Sequence, residues 1–175
     1  MTSVMPAAAD VRVPALRLDG RVLRPLRLDA GALQGLVQHT VVRRALSCAA
    51  RSLDPAVGLR CWQGVRLTAL LELAGLQLDR QRERGGVCVH AHGRDGYVAS
   101  FSWSELFNGP AGGDVLVALG VDGMPLPAGD SPRLIAAHDW QSSARLVRGL
   151  CRIEVAGPVA LRPDPGTAMT MTSRR

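Results

Sequence analysis

There is no lysine in this chain. All 21 of its basic Lys-or-Arg positions are arginine, set against 15 acidic residues, for a formal net charge of +6. Aromatic residues are scarce too, at 3% of the chain. A pI near 10.4 raises nucleic acid as a partner. The arginines are scattered, however, and a stacking platform for single strands needs more rings than these. Nucleic-acid binding is not expected. Lysine-free, Ala- and Gly-rich usage points instead to the coding bias of a GC-rich bacterial genome.

Long hydrophobic runs are also missing, so no transmembrane helix is expected. The opening "MTSVMPAAADVRVP" has neither a basic start nor a long apolar region. No export signal is read there, and the expected compartment is the cytoplasm. The four cysteines, Cys48, Cys61, Cys88 and Cys151, contain no C-x-x-C pair, which argues against a zinc ribbon. A cytoplasmic chain would keep these thiols reduced. G-x-G-x-x-G, G-x-S-x-G and P-loop patterns are absent, which removes the common dinucleotide, hydrolase and nucleotide signatures.

What is present describes a globular chain. At 175 residues and 47% hydrophobic content, it suits one domain with a substantial core. That domain is expected over residues 1–160, with a flexible C-terminal tail over 161–175, where Pro, Gly and polar residues have little to bury.

"VRVPALRLDGRVLRPLRL" predicts two short strands around a turn at Asp19-Gly20. "LDAGALQGLV" predicts a short helix with Asp29 as its N-cap. "HTVVRRALS" is read as a strand running up to Cys48, followed by a loop from Ala49 to Arg60. Trp62 and Gly64 are expected to form a turn into a helix. In that helix Leu67, Leu70, Leu71 and Ala74 fall at i, i+3, i+4 and i+7, and Gly75 ends it. "VCVHAH" and "GYVASFS" predict strands, "WSELFNG" a short helix, and "DVLVALGV", "RLIAAHD" and "LVRGLCRIEV" the remaining strands. Seven or eight strands with three short helices and no regular βαβ alternation predict an α+β fold with mixed sheets.

Three groups carry candidate chemistry. Cys48 ends a strand beside Arg43, Arg44 and Arg51, whose charge favours thiolate, the form that ligates a metal; a buried apolar cysteine is the plainer alternative. His90 and His92, two apart on a strand, leave the same face, but no third metal ligand is identifiable. "GMPLPAGDSPRL" concentrates glycine and proline before Arg133, with Arg145 and Arg148 downstream. That is either an anion site or a surface turn beside solvated arginines.

In order, these segments resemble a known family. They run from a strand ending in Cys48 through Trp62-Gln63-Gly64-Val65, Leu70-Leu71, Ala74-Gly75 and Asp95-Gly96-Tyr97. They continue through Gly123, Pro125-Leu126-Pro127, Gly129, Arg133-Leu134 and Ile153-Glu154-Val155. The ordered set, from roughly Leu16 to Val155, resembles the oxidoreductase molybdopterin-binding domain of the sulfite oxidase family, in a stand-alone bacterial form. The resemblance implies a sulfite-oxidase-like fold around a molybdopterin carrying molybdenum, with Cys48 as the metal's protein ligand. It implies that Arg145 and Arg148 meet the pterin phosphate, and that Gly129 and Arg133 border the cofactor; Arg43 is grouped with them. The implied function is two-electron oxygen-atom transfer on a small oxyanion or sulfoxide, with a redox partner protein. Ala49-Ala50-Arg51 after Cys48, Gly149 in place of an aromatic, and the lack of an upstream pterin-holding segment depart from the active pattern. They motivate an alternative, a cofactor-free binding or interaction module on the same scaffold.

Overall fold

The computed structural model describes residues 15–44, 59–78, 81–139 and 144–157. Cys48 and the tail expected to be flexible both lie outside the described residues. In chain order the elements are β1 (Leu16–Gly20), β2 (Leu26–Leu28), α1 (Ala30–Gln34), β3 (His39–Arg44), β4 (Leu59–Arg66) and α2 (Leu67–Ala74). A 3-10 turn at Gln81–Gly86 follows, then β5 (Cys88–Gly93), β6 (Val98–Ser102) and α3 (Trp103–Asn108). After a second 3-10 turn at Gly112–Asp114 come β7 (Val115–Val121), β8 (Met124–Pro125), β9 (Arg133–Ala136) and β10 (Leu150–Ala156). This is the α+β class that the irregular order of strands and helices predicts.

Two five-stranded sheets result. The first runs β2-β1-β10-β5-β6 and is mixed, because β1 and β10 pair in parallel. The second runs β3-β4-β7-β8, with β9 also paired to β7, and is antiparallel throughout. Alternation divides the first sheet, broken once where the register shifts between Leu150 and Arg152. Leu16, Leu18, Val89, Ala91, Phe101, Ile153 and Val155 are buried on one face, while Arg17, Asp19, Arg152, Glu154, His90 and His92 share the other. Val65, Val117, Leu134 and Ala136 from the second sheet join the same core. The α2 stripe closes it, with Leu67, Leu70, Leu71 and Ala74 all fully buried, each leucine contributing roughly 1.5–3 kcal/mol. On the outer side of the second sheet a smaller cluster joins Ala118, Leu126 and Ile135 to Trp62, Val121 and Leu146.

Asp29 does cap α1, accepting from Ala32 N at 2.8 Å. Three expectations are corrected. The first hairpin does not turn at Asp19-Gly20: β1 continues through both residues because its free edge pairs with β10 as far as Gly20↔Val155, and residues 21–25 make the connection. Likewise Trp62 and Gly64 form no turn; they lie within the eight-residue strand β4, between β3 and β7. A Cβ on Gly64 would stand 2.2 Å from Val117 O, so this glycine marks a close strand approach. Finally, Leu146 to Gly149 precede the last strand, which starts at Leu150. Among the described residues, no helix is long and apolar enough to cross a membrane.

Candidate functional site

The outer side of the second sheet collects two of the predicted arginines. Val41 and Trp62 are direct cross-strand partners, so Arg43, two residues along β3, leaves on Trp62's side. Ala118 pairs with Arg133 on β9, and the Arg133 guanidinium stacks over the Trp62 ring at 5.4 Å. The strand pattern thus places Arg43, Trp62 and Arg133 on one surface. Arg43 also stands five residues before Cys48 in the chain.

Arg43 is the buried charged residue of the described set, at 8% exposure. Its Nη2 donates to the main-chain oxygen of Asp139 at 3.2 Å. Burial pulls its pKa down, and the Asp139 charge offsets only part of that. Arg133 donates from Nη2 to Asp130 Oδ2 at 2.6 Å, while its buried Nε–H has no hydrogen-bond partner among the described residues. A buried N–H left unmade is costly, and such orphans call for a chemical explanation.

Arg145 is differently engaged. Its Nε donates to Asp139 Oδ1 and Oδ2 at 3.1 and 2.9 Å, its Nη2 pairs with Asp139 Oδ1, and its Nη1 pairs with Glu105 of α3. The guanidinium lies 4.8 Å over the Phe101 ring. The Asp139 hydrogen bonds, outweighing desolvation, hold its pKa above the ordinary arginine value. Arg148, by contrast, is exposed. Arg145, held by two carboxylates, and the exposed Arg148 thus stand in different surroundings.

Gly129 is exposed, with open space where a Cβ would be. Its carbonyl accepts from Arg94 Nη1 at 3.2 Å, and Arg94 Nη2 reaches Ser131 O at 3.1 Å. Arg94, from the β5–β6 turn, thereby ties down the loop leading to Arg133. Gly149 explains how it fits. With φ of 53°, a Cβ there would lie 2.9 Å from Gly129 O and 3.3 Å from Arg94 Nη1. The space where the resemblance leads one to expect an aromatic is occupied by the Arg94 side chain.

His90 and His92 do share a face, with ring centroids 6.5 Å apart. His90 Nδ1 is 2.8 Å from Ser100 Oγ, and His92 Nε2 lies 3.2 Å from Glu154 Oε2 without hydrogen-bond geometry. No group of three metal-ligating side chains forms among the described residues. Surface grooves of about 370 Å³ between the α1–β3 connection and the β7–β8 turn, and of about 400 Å³ between α2 and α3, hold none of the predicted site residues. Asp139, Glu105, Asp130 and Arg94 went unnoticed in the sequence. Their partners lie up to 96 positions away and follow no motif.

No curated protein matches the chain. Among solved structures, it is similar to the sulfane dehydrogenase SoxCD from Paracoccus pantotrophus, with a TM-score of 0.60 and 19% identity. The likeness is one of fold: it covers 81% of this chain and 38% of that one. The sequence from residue 4 to residue 157 matches the oxidoreductase molybdopterin binding domain, and with that match the chain belongs to this family, the molybdopterin-binding domain of the sulfite oxidase type.

Proposed function

We propose that this domain binds a molybdopterin carrying molybdenum and supports oxygen-atom transfer on a small oxyanion or sulfur compound. Support for it comes from one observation: Arg43 and Arg133 leave from a single sheet face, each with donor capacity left over. Arg43 is buried with a carbonyl as its hydrogen-bond partner among the described residues, and Arg133 keeps an unpaired Nε–H. Desolvated guanidiniums in that state suit a phosphate-bearing ligand, since each would gain a charged acceptor. The residues fit the group.

Arg43, Gly129 and Arg133 would hold the cofactor, with Arg148 as a further cation at the surface. Cys48 would be the protein ligand to the metal. When bound, the group supplies a two-electron redox couple for oxygen-atom exchange. The chain's own contribution is charge and exclusion of water: the guanidiniums attract an anionic substrate and hold its oxygens. Trp62 holds the Arg133 guanidinium over its ring, and Arg94 fixes the Gly129 loop. Because the fold neighbour is named a sulfane dehydrogenase, sulfite, sulfoxides and sulfane-type compounds form the first substrate panel.

The test is metal and pterin analysis of protein made in a host that supplies the cofactor. Molybdenum and pterin in equal amounts are expected, and Cys48→Ser should lose the metal and all molybdenum-dependent turnover. Protein that carries neither under those conditions would leave the cofactor-free module as the function of the scaffold.

A further inference from the structure

The arginines brought toward this site differ in what they already hold. Arg145 is met by two carboxylates, Asp139 and Glu105, with its face against Phe101. Arg133 is met by one, Asp130. Arg43 has no carboxylate at hydrogen-bond distance among the described residues, and its bond goes to a main-chain oxygen. The capacity to accept an added anion falls in the reverse order. At Arg145 an incoming phosphate would face two like charges already in contact with the guanidinium.

Asp139 does two things at once. Its main-chain oxygen accepts from Arg43, while its carboxylate is held by Arg145. A carboxylate one residue's breadth from Arg43 would be the obvious partner for that buried cation. Arg145 engages that carboxylate itself, and Glu105 on α3 anchors Arg145 in place. We propose that Arg145 is a positioning residue and not an anion ligand: it sequesters the Asp139 carboxylate, so that Arg43 stays available as the buried cation that receives an anionic group. This rests on the molybdopterin-site reading above and narrows its ligand set, taking Arg145 out of direct contact with the pterin phosphate.

Inorganic phosphate serves as the probe, followed through the arginine Nε–H signals of the whole protein by isotope-edited NMR. Phosphate should move the Arg43 signal and leave that of Arg145 in place. Arg145→Gln should weaken phosphate binding about tenfold, because the released carboxylate then occupies Arg43. Adding Asp139→Asn to that variant should restore affinity to within about threefold of the starting protein, since the competitor has lost its charge. A direct ligand could not be rescued in this way. Movement of the Arg145 signal with phosphate, or a double variant as weak as the single one, would overturn the inference while leaving the anion site standing. Should the double variant fail to fold, the titration of the unaltered protein decides by itself. If no arginine responds to phosphate, the anion site fails, and this assignment falls with it.

Discussion

Gly64 shows how one residue type can stand for opposite structures. After a tryptophan and before a helix, the sequence suggests a turn, but the side-chain-free position is needed for strand packing. Val117 O occupies the place of the missing Cβ, and a register shift between Gln63 and Gly64 breaks the alternation that would have announced a strand. Gly64→Ala should therefore destabilise the fold by about 3 kcal/mol, measured by urea denaturation. The same substitution at Gly113, where a Cβ would meet nothing within 4 Å, should cost far less. What the sequence marks is local: Gly129 and Arg133 stand inside an ordered motif, whereas Arg43 lies outside it and its bond to Asp139 spans 96 positions. The partners that decide what Arg145 does are separated from it by 6 and 40 residues, and no spacing rule reports an ion pair at such distances.

Among the elements, α2 was the most legible, since its four apolar positions fall on one helical stripe and all four are fully buried. Leu70→Ala should cost about 3 kcal/mol through the lost contacts and the cavity left behind. Leu73, on the other face and 40% exposed, should tolerate alanine with a loss below about 1 kcal/mol. Chemical denaturation of the two variants side by side checks the assignment of faces. Loop-to-strand boundaries were read less well. β4 carries two arginines, a glutamine and a glycine, and its strand character comes from the neighbours on either side. The reverse holds for residues 146–149: they are apolar and basic enough to extend a strand, yet Gly149 adopts a positive φ and makes way for Arg94.

At the level of the whole molecule, the polar face of the first sheet joins its central strands electrostatically. Asp19 on β1 accepts from Arg152 of β10, Nε at 2.9 Å, and pairs with Arg17. Burial raises the Asp19 carboxyl pKa, but the hydrogen bonds from Arg152 and Arg17 lower it by more, so that it lies below the ordinary aspartate value. A depressed folded-state pKa contributes stability above the unfolded value of about 3.9, and that contribution is lost as pH falls through the folded value. Asp19→Asn should thus lower stability at neutral pH, by less than about 1 kcal/mol for a pair at the surface. The two proteins should converge on acidification past about pH 3, as followed by denaturation at a series of pH values. The sequence revealed most of the segments that become strands, though not β4, and that the class would be α+β. It did not reveal that the first and last described strands lie side by side, because parallel partners 135 positions apart share no turn.

That adjacency has a temporal consequence for synthesis. β10 is the middle strand of its sheet and separates the β2–β1 hairpin from the β5–β6 hairpin. While the ribosome is still making residues before Leu150, those two hairpins have nothing to join them, and the β1 edge that pairs with β10 has no partner. The sheet is completed only after β10 emerges, so folding of this half must wait for a strand 135 positions downstream of its β1 partner. A nascent chain arrested before Leu150 should accordingly be far more sensitive to protease at β1 than one arrested beyond Ala156.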